Sequence, residues 1–271
     1  MRQSPSRYTD ALMISSKPAA DKAVYFLGGH DLEMQEIARV LRERSVPFVD
    51  HQLHWSQATY TAYEQEIATA IRNGRRPVLI ELRDIPNVVR PLVHVIDHHG
   101  PESGHLSTSL EMVLERLGDT LTREQRLIAA NDKGYIGAMI AIGASPEDVE
   151  RIRRADRMAQ GITKEQEEQA AAAVLSRDTS VPGLTIVKLP HVHTATVTDR
   201  LNVHMGGPGY VNLLILGPNE VVFYGDGEMI SLLSKKFGGY CGGQLPVTGY
   251  WGLETDDKSR MKAVTDFVKA H

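Results

Sequence analysis

An aspartate and two histidines directly follow one apolar stretch of the chain. The stretch is residues 91–96, and Asp97, His98 and His99 come after it, just before a Gly-Pro pair. A short apolar run bounded by proline and glycine is typical of a buried parallel strand. Ligands of open α/β sheets bind beyond the carboxyl ends of the strands. Imidazole and carboxylate are also ligands for manganese, iron, zinc or magnesium. A single histidine at a strand end is usually an ordinary surface or core residue, but this combination favours a functional site.

Carboxylates also stand at the ends of two other predicted strands. His30, Asp31 and Glu33 follow the apolar residues 23–27 and a glycine pair, and Glu81 and Asp84 end the apolar run that begins at residue 77. The first group has two interpretations. Its side chains could point into a functional site, or its acids could simply stabilise the first turn of a helix by interacting with the helix dipole. Both can hold at once, and the motif alone does not separate them.

Asp132 is a further candidate carboxylate. It lies beside Lys133 and Gly134, after an apolar helical stretch. The alternative interpretation is a plain turn at the end of that helix, and the sequence supports the two equally.

Together these side chains could do phosphoryl-transfer chemistry. Two divalent cations held a few ångströms apart by histidines and shared carboxylates can stabilise both the attacking and the leaving oxygens at phosphorus. In such a site Asp97 would bind metal or orient an imidazole, and His99 would contact phosphate or protonate the leaving oxygen. A serine hydrolase is not supported because no Gly-x-Ser-x-Gly motif occurs. Cys241 lacks an evident basic partner for nucleophilic catalysis.

The elements that must position these residues follow a β-α-β-α-β-β pattern, which indicates an α/β fold with a parallel sheet in the N-terminal domain. We expect strands at 23–27, 46–50, 77–84 and 91–97, and helices at 31–41, 59–73, 107–118 and 122–130. Residues 145–157 predict a strongly charged helix, and a second helix begins at residue 163. We interpret them as a helical linker whose charges face solvent.

The C-terminal part predicts a smaller α/β domain. Strands are expected at 181–189, 195–197, 210–216 and 220–224, with helices at 226–236 and 256–270. Between the helices lies a predicted loop, residues 237–246, with Gly238, Gly239, Gly242 and Gly243. Glycine backbone can approach an anion closely and present N–H groups to it, so these glycines and Lys236 are candidate phosphate ligands. A purely structural loop that needs positive φ angles is the alternative. The predicted division is a tail at 1–22, a metal-binding domain at 23–145, the linker at 146–180 and a substrate domain at 181–271.

The composition limits the environment and the partners. The 271 residues are 42% hydrophobic and 24% charged, with a net charge of −4 and one cysteine. An acidic balance does not favour duplex DNA, and a single cysteine fits a reducing compartment. Because no apolar run is long enough to cross a bilayer and no signal core is visible, we expect a cytoplasmic protein without membrane contact. The sequence allows a homodimer.

These motifs resemble the DHH phosphoesterase superfamily, whose signature Asp97-His98-His99 matches at a predicted strand end. The segment Gly29-His30-Asp31-Leu32-Glu33 stands where the superfamily has its first motif, Glu81 (with Asp84 as a rival) where it has its second, and Asp132 where it has its fourth aspartate. The resemblance implies a five-stranded parallel domain, a helical linker and a smaller C-terminal domain. It implies a metal site formed by His30, Asp31, Glu33, Glu81, Asp97, His98 and Asp132, with manganese as the expected ion and magnesium as the alternative.

The expected function is hydrolysis of a small phosphorylated compound, a nucleotide or a short oligonucleotide, with Asp97 and His99 as the catalytic residues. Three departures from the superfamily pattern stand out: His30 and Asp31 are adjacent, glutamate replaces aspartate at two ligand positions, and the C-terminal glycines lack a Gly-Gly-His. They motivate the alternative of a non-catalytic nucleotide-binding or regulatory protein. A third interpretation is a generic α/β domain in which Asp-His-His has no function.

Overall fold

The computed structural model of the protein describes residues 22–99 and 107–271. The predicted tail at 1–22 therefore lies almost wholly outside the described residues. The chain forms two compact units, Met1–Ala129 and Ala130–His271. The predicted three-part division with a linker at 146–180 remains a prediction. None of the helices in the described part of the chain has the length and apolar character needed to span a bilayer.

The first unit contains a four-stranded parallel sheet, which confirms the predicted fold class of the N-terminal part. Its strands are β1 (Ala23–Leu27), β2 (Phe48–Asp50), β3 (Arg76–Ile80) and β4 (His94–Ile96), in the order β2-β1-β3-β4. The resemblance implies five strands, and four are present among the described residues. Strand β4 is shorter than predicted because residues Arg90–Leu92 form a 3-10 helix. All pairings are parallel, so the carboxyl ends of the strands lie at one edge of the sheet.

Helices follow three of these strands: α1 (Leu32–Glu43) connects β1 to β2, α2 (Glu64–Arg72) connects β2 to β3, and α3 (Ser109–Leu117) comes after β4. Two 3-10 turns, at Trp55–Gln57 and Tyr60–Tyr63, precede α2. The core between α2 and the sheet includes Phe26 and Tyr63, whose rings meet edge to face at 5.8 Å. The buried Tyr63 hydroxyl donates to the Leu27 carbonyl at 2.6 Å, and burial raises its pKa to about 12. This hydrogen bond to the last residue of β1 holds the start of the loop that leads to α1.

Helix α4 (Arg123–Ala141) crosses the division between the units. The helix continues through Asn131, Asp132 and Lys133 and breaks directly after them, so the predicted turn at the end of a helix lies at the two residues that follow. The helical path breaks three residues after Asn131, where Gly134 and Tyr135 have non-helical dihedral angles. The glycine, which has no Cβ, is the residue best able to accept such a break.

The second unit contains a five-stranded mixed sheet in the order β5-β6-β7-β9-β8. The strands are β5 (Leu184–Lys188), β6 (Asn212–Leu216), β7 (Glu220–Asp226), β8 (Tyr240–Gln244) and β9 (Thr248–Glu254). Strands β5 and β6 are parallel and the other pairs are antiparallel. The helices are α5 (Pro146–Ala159), α6 (Lys164–Leu175), α7 (Ala195–Leu201), α8 (Gly227–Phe237) and α9 (Lys258–Ala270), with a 3-10 turn at Val203–Met205.

Apolar side chains cover the two faces of this sheet separately. One cluster joins Phe223 and Trp251 of the sheet with Val264 of α9, and the other joins Leu213 and Val187 with helices α6 and α7. Burying apolar surface on both faces makes the unit a three-layer α/β/α arrangement. The predicted smaller α/β domain is thereby confirmed in class, with helix α9 close to the predicted range.

Two local predictions for this unit are wrong. The predicted strand at 195–197 is the beginning of helix α7, which Thr194 precedes as the N-cap. The predicted loop at 237–246 contains strand β8, which pairs with β9. Glycine is needed there because aromatic rings pass close to the backbone: a Cβ at Gly242 would lie 2.5 Å from the Tyr250 hydroxyl.

The charged helix α5 also differs from the prediction. The prediction places its charges toward solvent, but Arg153, Asp156 and Arg157 are buried. Arg153 and Arg157 both contact the carboxylate of Asp199 in α7. Buried guanidinium groups require such partners, because an uncompensated buried charge is costly. The helix is therefore part of the packed interior of the second unit.

Candidate metal centre

Three potential metal ligands converge in the first unit, at the carboxyl edge of its sheet. Glu81 directly follows β3, and His98 and His99 follow the neighbouring strand β4 within three residues. The register pairs Ile80 with Ile96, so residues just beyond these positions come together. One ligand atom from each of Glu81, His98 and His99 lies within 4.8 Å of the others. A carboxylate and two imidazoles at this spacing fit a divalent cation of the transition-metal type.

Glu81 is fixed by an uncommon backbone conformation. It is 1% exposed and has a φ angle of 51°, in the left-handed region that non-glycine residues seldom adopt. Its N–H donates to the Ile96 carbonyl at 2.8 Å, which ties the end of β3 to β4. The neighbouring Gly28 allows this turn, because a Cβ at Gly28 would lie 2.5 Å from the Glu81 carbonyl oxygen. Such conformations concentrate at functional sites.

The first turn of α3 holds the carboxylates of two other elements. The Ser109 hydroxyl donates to Glu81 Oε1 at 2.7 Å, and the Leu110 N–H donates to Glu33 Oε1 at 2.8 Å. Thr108 caps the helix in a capping box with Glu111, as the predicted helix there requires. A helix N-terminus offers N–H groups and a positive dipole end to carboxylates. Helix α3 therefore brings Glu33 and Glu81 to the same place.

The two histidines differ in exposure and in surroundings. The His98 side chain is 9% exposed and its Nδ1 lies 3.1 Å from Glu81 Oε1, whereas His99 is 41% exposed with its Nδ1 at 3.6 Å from the same oxygen. Their ring centroids are 3.8 Å apart, and the indole of Trp55 meets the His99 ring edge to face at 5.0 Å. The Asp97 carboxylate accepts the His99 N–H at 2.8 Å and so shapes the turn that carries both rings.

The residues of the predicted first motif are placed differently. Asp31 is the N-cap of α1, and its carboxylate accepts the Met34 N–H at 2.9 Å. Among the described residues, neither His30 nor Asp31 belongs to a set of ligand atoms close enough to share an ion. Asp84, the rival to Glu81, is exposed and also lies outside these sets. The structure thus favours Glu81 over Asp84.

Asp132 lies in the second unit, in helix α4 and three residues beyond the division at Ala129. Its role as the fourth carboxylate remains a prediction. The same holds for the phosphate-binding role of Gly238, Gly239, Gly242, Gly243 and Lys236. Two of these glycines lie in strand β8 instead of a loop, and the Lys236 ammonium lies 4.1 Å from the Phe267 ring centroid.

Two residues of the site were missed in the sequence. In the sequence, Ser109 is indistinguishable from an ordinary residue at the start of a helix, and Gly28 is indistinguishable from an ordinary glycine of a turn. Their signals are weak, because serine at helix starts and glycine after strands are common. What distinguishes them is the neighbour that each one contacts, Glu81, which is distant in sequence.

Solved structures similar to this chain cover most of its length. A pGpG-specific phosphodiesterase, PggH from Vibrio cholerae, matches with 12% identity and a TM-score of 0.40 over 92% of this chain and 98% of that chain. RecJ in complex with Mn²⁺ from Thermus thermophilus matches with 11% identity and a TM-score of 0.40 over 92% of this chain, which spans only 52% of RecJ. An exonuclease RecJ bound to manganese matches with 12% identity and a TM-score of 0.36, over 92% of this chain and 89% of that chain.

No protein-family model and no curated protein matches the chain. At these identities and TM-scores the likeness concerns the fold and says nothing about the substrate.

Proposed function

We propose that the protein is a metal-dependent phosphoesterase that hydrolyses a small nucleotide-like substrate. The observation that carries this proposal is the convergence of Glu81, His98 and His99 at the carboxyl edge of a parallel sheet. Such edges are where open α/β sheets bind ligands. The left-handed conformation of the buried Glu81 supports it, since a folded protein keeps such a conformation only where the surroundings enforce it.

The donor set fits a divalent cation of the manganese type, with magnesium as the alternative. Glu81 and His98 would hold it, together with Glu33, a further carboxylate of the first unit that the resemblance implies. When bound, the ion would supply a water of lowered pKa and stabilise the charge on the phosphoryl oxygens.

The protein residues would orient the reacting groups. The Nδ1 atom of His98 lies 3.1 Å from Glu81 Oε1, and carboxylate–histidine pairs of this kind orient the imidazole in many metal sites. His99 is more exposed, and the Trp55 contact and the Asp97 turn limit its motion. An accessible imidazole held in this way can donate a proton to a leaving oxygen. We therefore assign His99 to proton transfer and Asp97 to positioning it.

The test is turnover by the full-length protein loaded with manganese. Nucleoside monophosphates, linear dinucleotides and bis(p-nitrophenyl) phosphate would be assayed for hydrolysis. His98→Ala should lower kcat/KM by about 100-fold or more, since even the partners of metal ligands contribute about 10- to 100-fold. His204→Ala is the matched control, because this histidine is exposed in the second unit. No turnover by the wild type, or full turnover by His98→Ala, would contradict the proposal.

A second candidate is a nucleotide-binding or regulatory protein without catalysis. It is favoured by one observation: Asp31 serves as a helix N-cap, and neither it nor His30 joins the ligand set among the described residues. Elemental analysis of the purified protein decides between the two functions. Absence of bound metal after manganese loading, with nucleotide still binding, would favour the second candidate.

A further inference from the structure

Three helices of the second unit, α5, α6 and α7, line a cavity of about 390 Å³, which we call the arginine cavity. Its charged side chains are Arg154 and Arg157 of α5, Lys164 and Glu167 of α6, and Arg200 of α7. The cavity thus has four cations and one carboxylate, in a chain whose net charge is −4. Such a local excess of positive charge in an acidic protein indicates a site for an anion.

The single carboxylate of the arginine cavity is already bound through both of its oxygens. The Arg157 Nε donates to Glu167 Oε1 at 2.6 Å, and the Arg200 Nη2 lies 2.6 Å from Glu167 Oε2. Arg157 also contacts the buried carboxylate of Asp199, and the Arg200 Nη1 donates to the Thr196 carbonyl at 2.8 Å. These bonds hold both guanidinium groups in one orientation, because a planar group with several partners cannot turn without losing some of them.

The three arginines keep N–H groups that these bonds do not use. A guanidinium has five N–H donors. Among the described residues, no acceptor binds the Arg157 Nη2 or the Arg200 Nε, and Arg154 has neither a hydrogen bond nor an ion pair. The Arg157 side chain is only 9% exposed, and donors this deeply buried usually have an acceptor. A ligand in the arginine cavity would supply one.

A neighbouring cavity shares the three arginines but has a different charge. Its volume is about 400 Å³, and it is also lined by three carboxylates, those of Glu147, Glu150 and Asp199. Three arginines and three carboxylates balance each other, so this second cavity does not favour an anion. The arginine cavity keeps its excess of cations and adds two apolar side chains, Met158 and Ile162.

We propose that the arginine cavity binds a phosphate monoester of a small organic group. The site goes beyond the proposed function, because all of its residues lie in the second unit and none belongs to the metal centre. A phosphate monoester carries close to two negative charges at neutral pH, and guanidinium groups bind its oxygens through pairs of N–H bonds. Met158, which is 66% exposed, would contact the organic group. The volume lies in the range of small-molecule sites, roughly 300–1,000 Å³.

The test measures binding of phenyl phosphate to the full-length protein by isothermal titration calorimetry, in EDTA so that no hydrolysis intervenes. Phenyl phosphate combines a phosphate group with an apolar ring. Arg154→Gln is the informative variant, because Arg154 is exposed and has no partner that the fold would lose. The Kd should rise by about 10-fold or more. Arg154→Lys keeps the charge without the paired N–H groups, and its Kd should lie between those of wild type and Arg154→Gln.

Arg126→Gln is the matched control. Arg126 is an exposed arginine of the first unit, so its replacement changes the net charge equally and should leave the Kd unchanged. Inorganic phosphate should bind more weakly than phenyl phosphate, and Met158→Gln should reduce this difference.

Absence of saturable binding to the wild type, or the same Kd in Arg154→Gln, would overturn the proposal. Tighter binding of benzoate than of phenyl phosphate would overturn the assignment to phosphate. Because binding is measured without metal, a protein that binds phenyl phosphate through Arg154 but hydrolyses nothing would contradict the proposed function alone.

Discussion

Arg153 and Arg154 are neighbours on helix α5, but only Arg153 is buried. The pair therefore allows a matched test of the buried ionic network that Arg153 forms inside the second unit. Arg153→Met would remove the donor of four hydrogen bonds. Breaking a buried ion pair by removing one partner costs about 3–5 kcal/mol. Asp199 would keep its contact with Arg157, which places the expected loss near the lower end, about 3 kcal/mol. Arg154→Met, an exposed substitution, should stay within about 0.5 kcal/mol.

The assay is urea unfolding followed by tryptophan fluorescence. The chain has two tryptophans, and Trp251 is completely buried in the core of the second unit. A Trp55→Phe background therefore makes the emission report on the unit that contains the network. With a urea dependence of about 2 kcal/mol per molar, the expected loss corresponds to a midpoint about 1.5 M lower.

The outcome that would refute this reasoning is a midpoint shift for Arg153→Met no larger than that for Arg154→Met. It would mean that the network contributes no more than an exposed arginine, and that Arg153 does not fix its surroundings. Raising the salt concentration is a further check. Because buried pairs are screened little, the loss should persist at high ionic strength, whereas the contribution of a surface pair would fade.

Two further predictions concern carboxylates. Ser109→Ala would leave the buried Glu81 carboxylate without its 2.7 Å donor, and should cost about 1.5–3 kcal/mol in urea unfolding; an unchanged midpoint would contradict the contact. Burial tends to raise the pKa of Glu167, but hydrogen bonds from Arg157 and Arg200 outweigh it and lower the pKa below the ordinary 4.5. A lowered pKa stabilises the fold above the unfolded value and the contribution is lost as pH falls through the folded value. The stability gap between wild type and Glu167→Gln should therefore be full at pH 7 and shrink below about pH 4.5; a constant gap would show that the pairing does not matter.

The N-terminal half was the more predictable part of the fold. Its strands are short apolar runs ended by glycine, proline or acid, and its helices begin at residues with capping side chains such as Asp31 and Thr108. Both signals are local, so one sequence suffices to read them. The convergence of Glu81 with His98 was predictable for the same reason, because parallel strands place their carboxyl ends at one edge.

The errors have a different origin. Residues 195–197 are one alanine and two β-branched residues. A run of three residues is too short to distinguish the helical period from the strand period, and packing of the helix decided the outcome. Strand β8 was missed because its two glycines are required by close neighbours on the partner strand, the Tyr250 ring at Gly242 and the Gly249 backbone at Gly243. The burial of Arg153 depends on Asp199, 46 residues away in sequence. The last two features are set by contacts with other segments of the chain, which propensity does not encode.

The close approach of Gly28 to the Glu81 carbonyl has a consequence for alanine scanning of this protein. Such scans are designed to find residues by the groups they lose, and position 28 has no group to lose. Here the added methyl is itself the damage, since it would push the end of β1 away from the turn that carries the glutamate. A scan would therefore mark this position as essential, and the reason would be the space that the residue leaves empty.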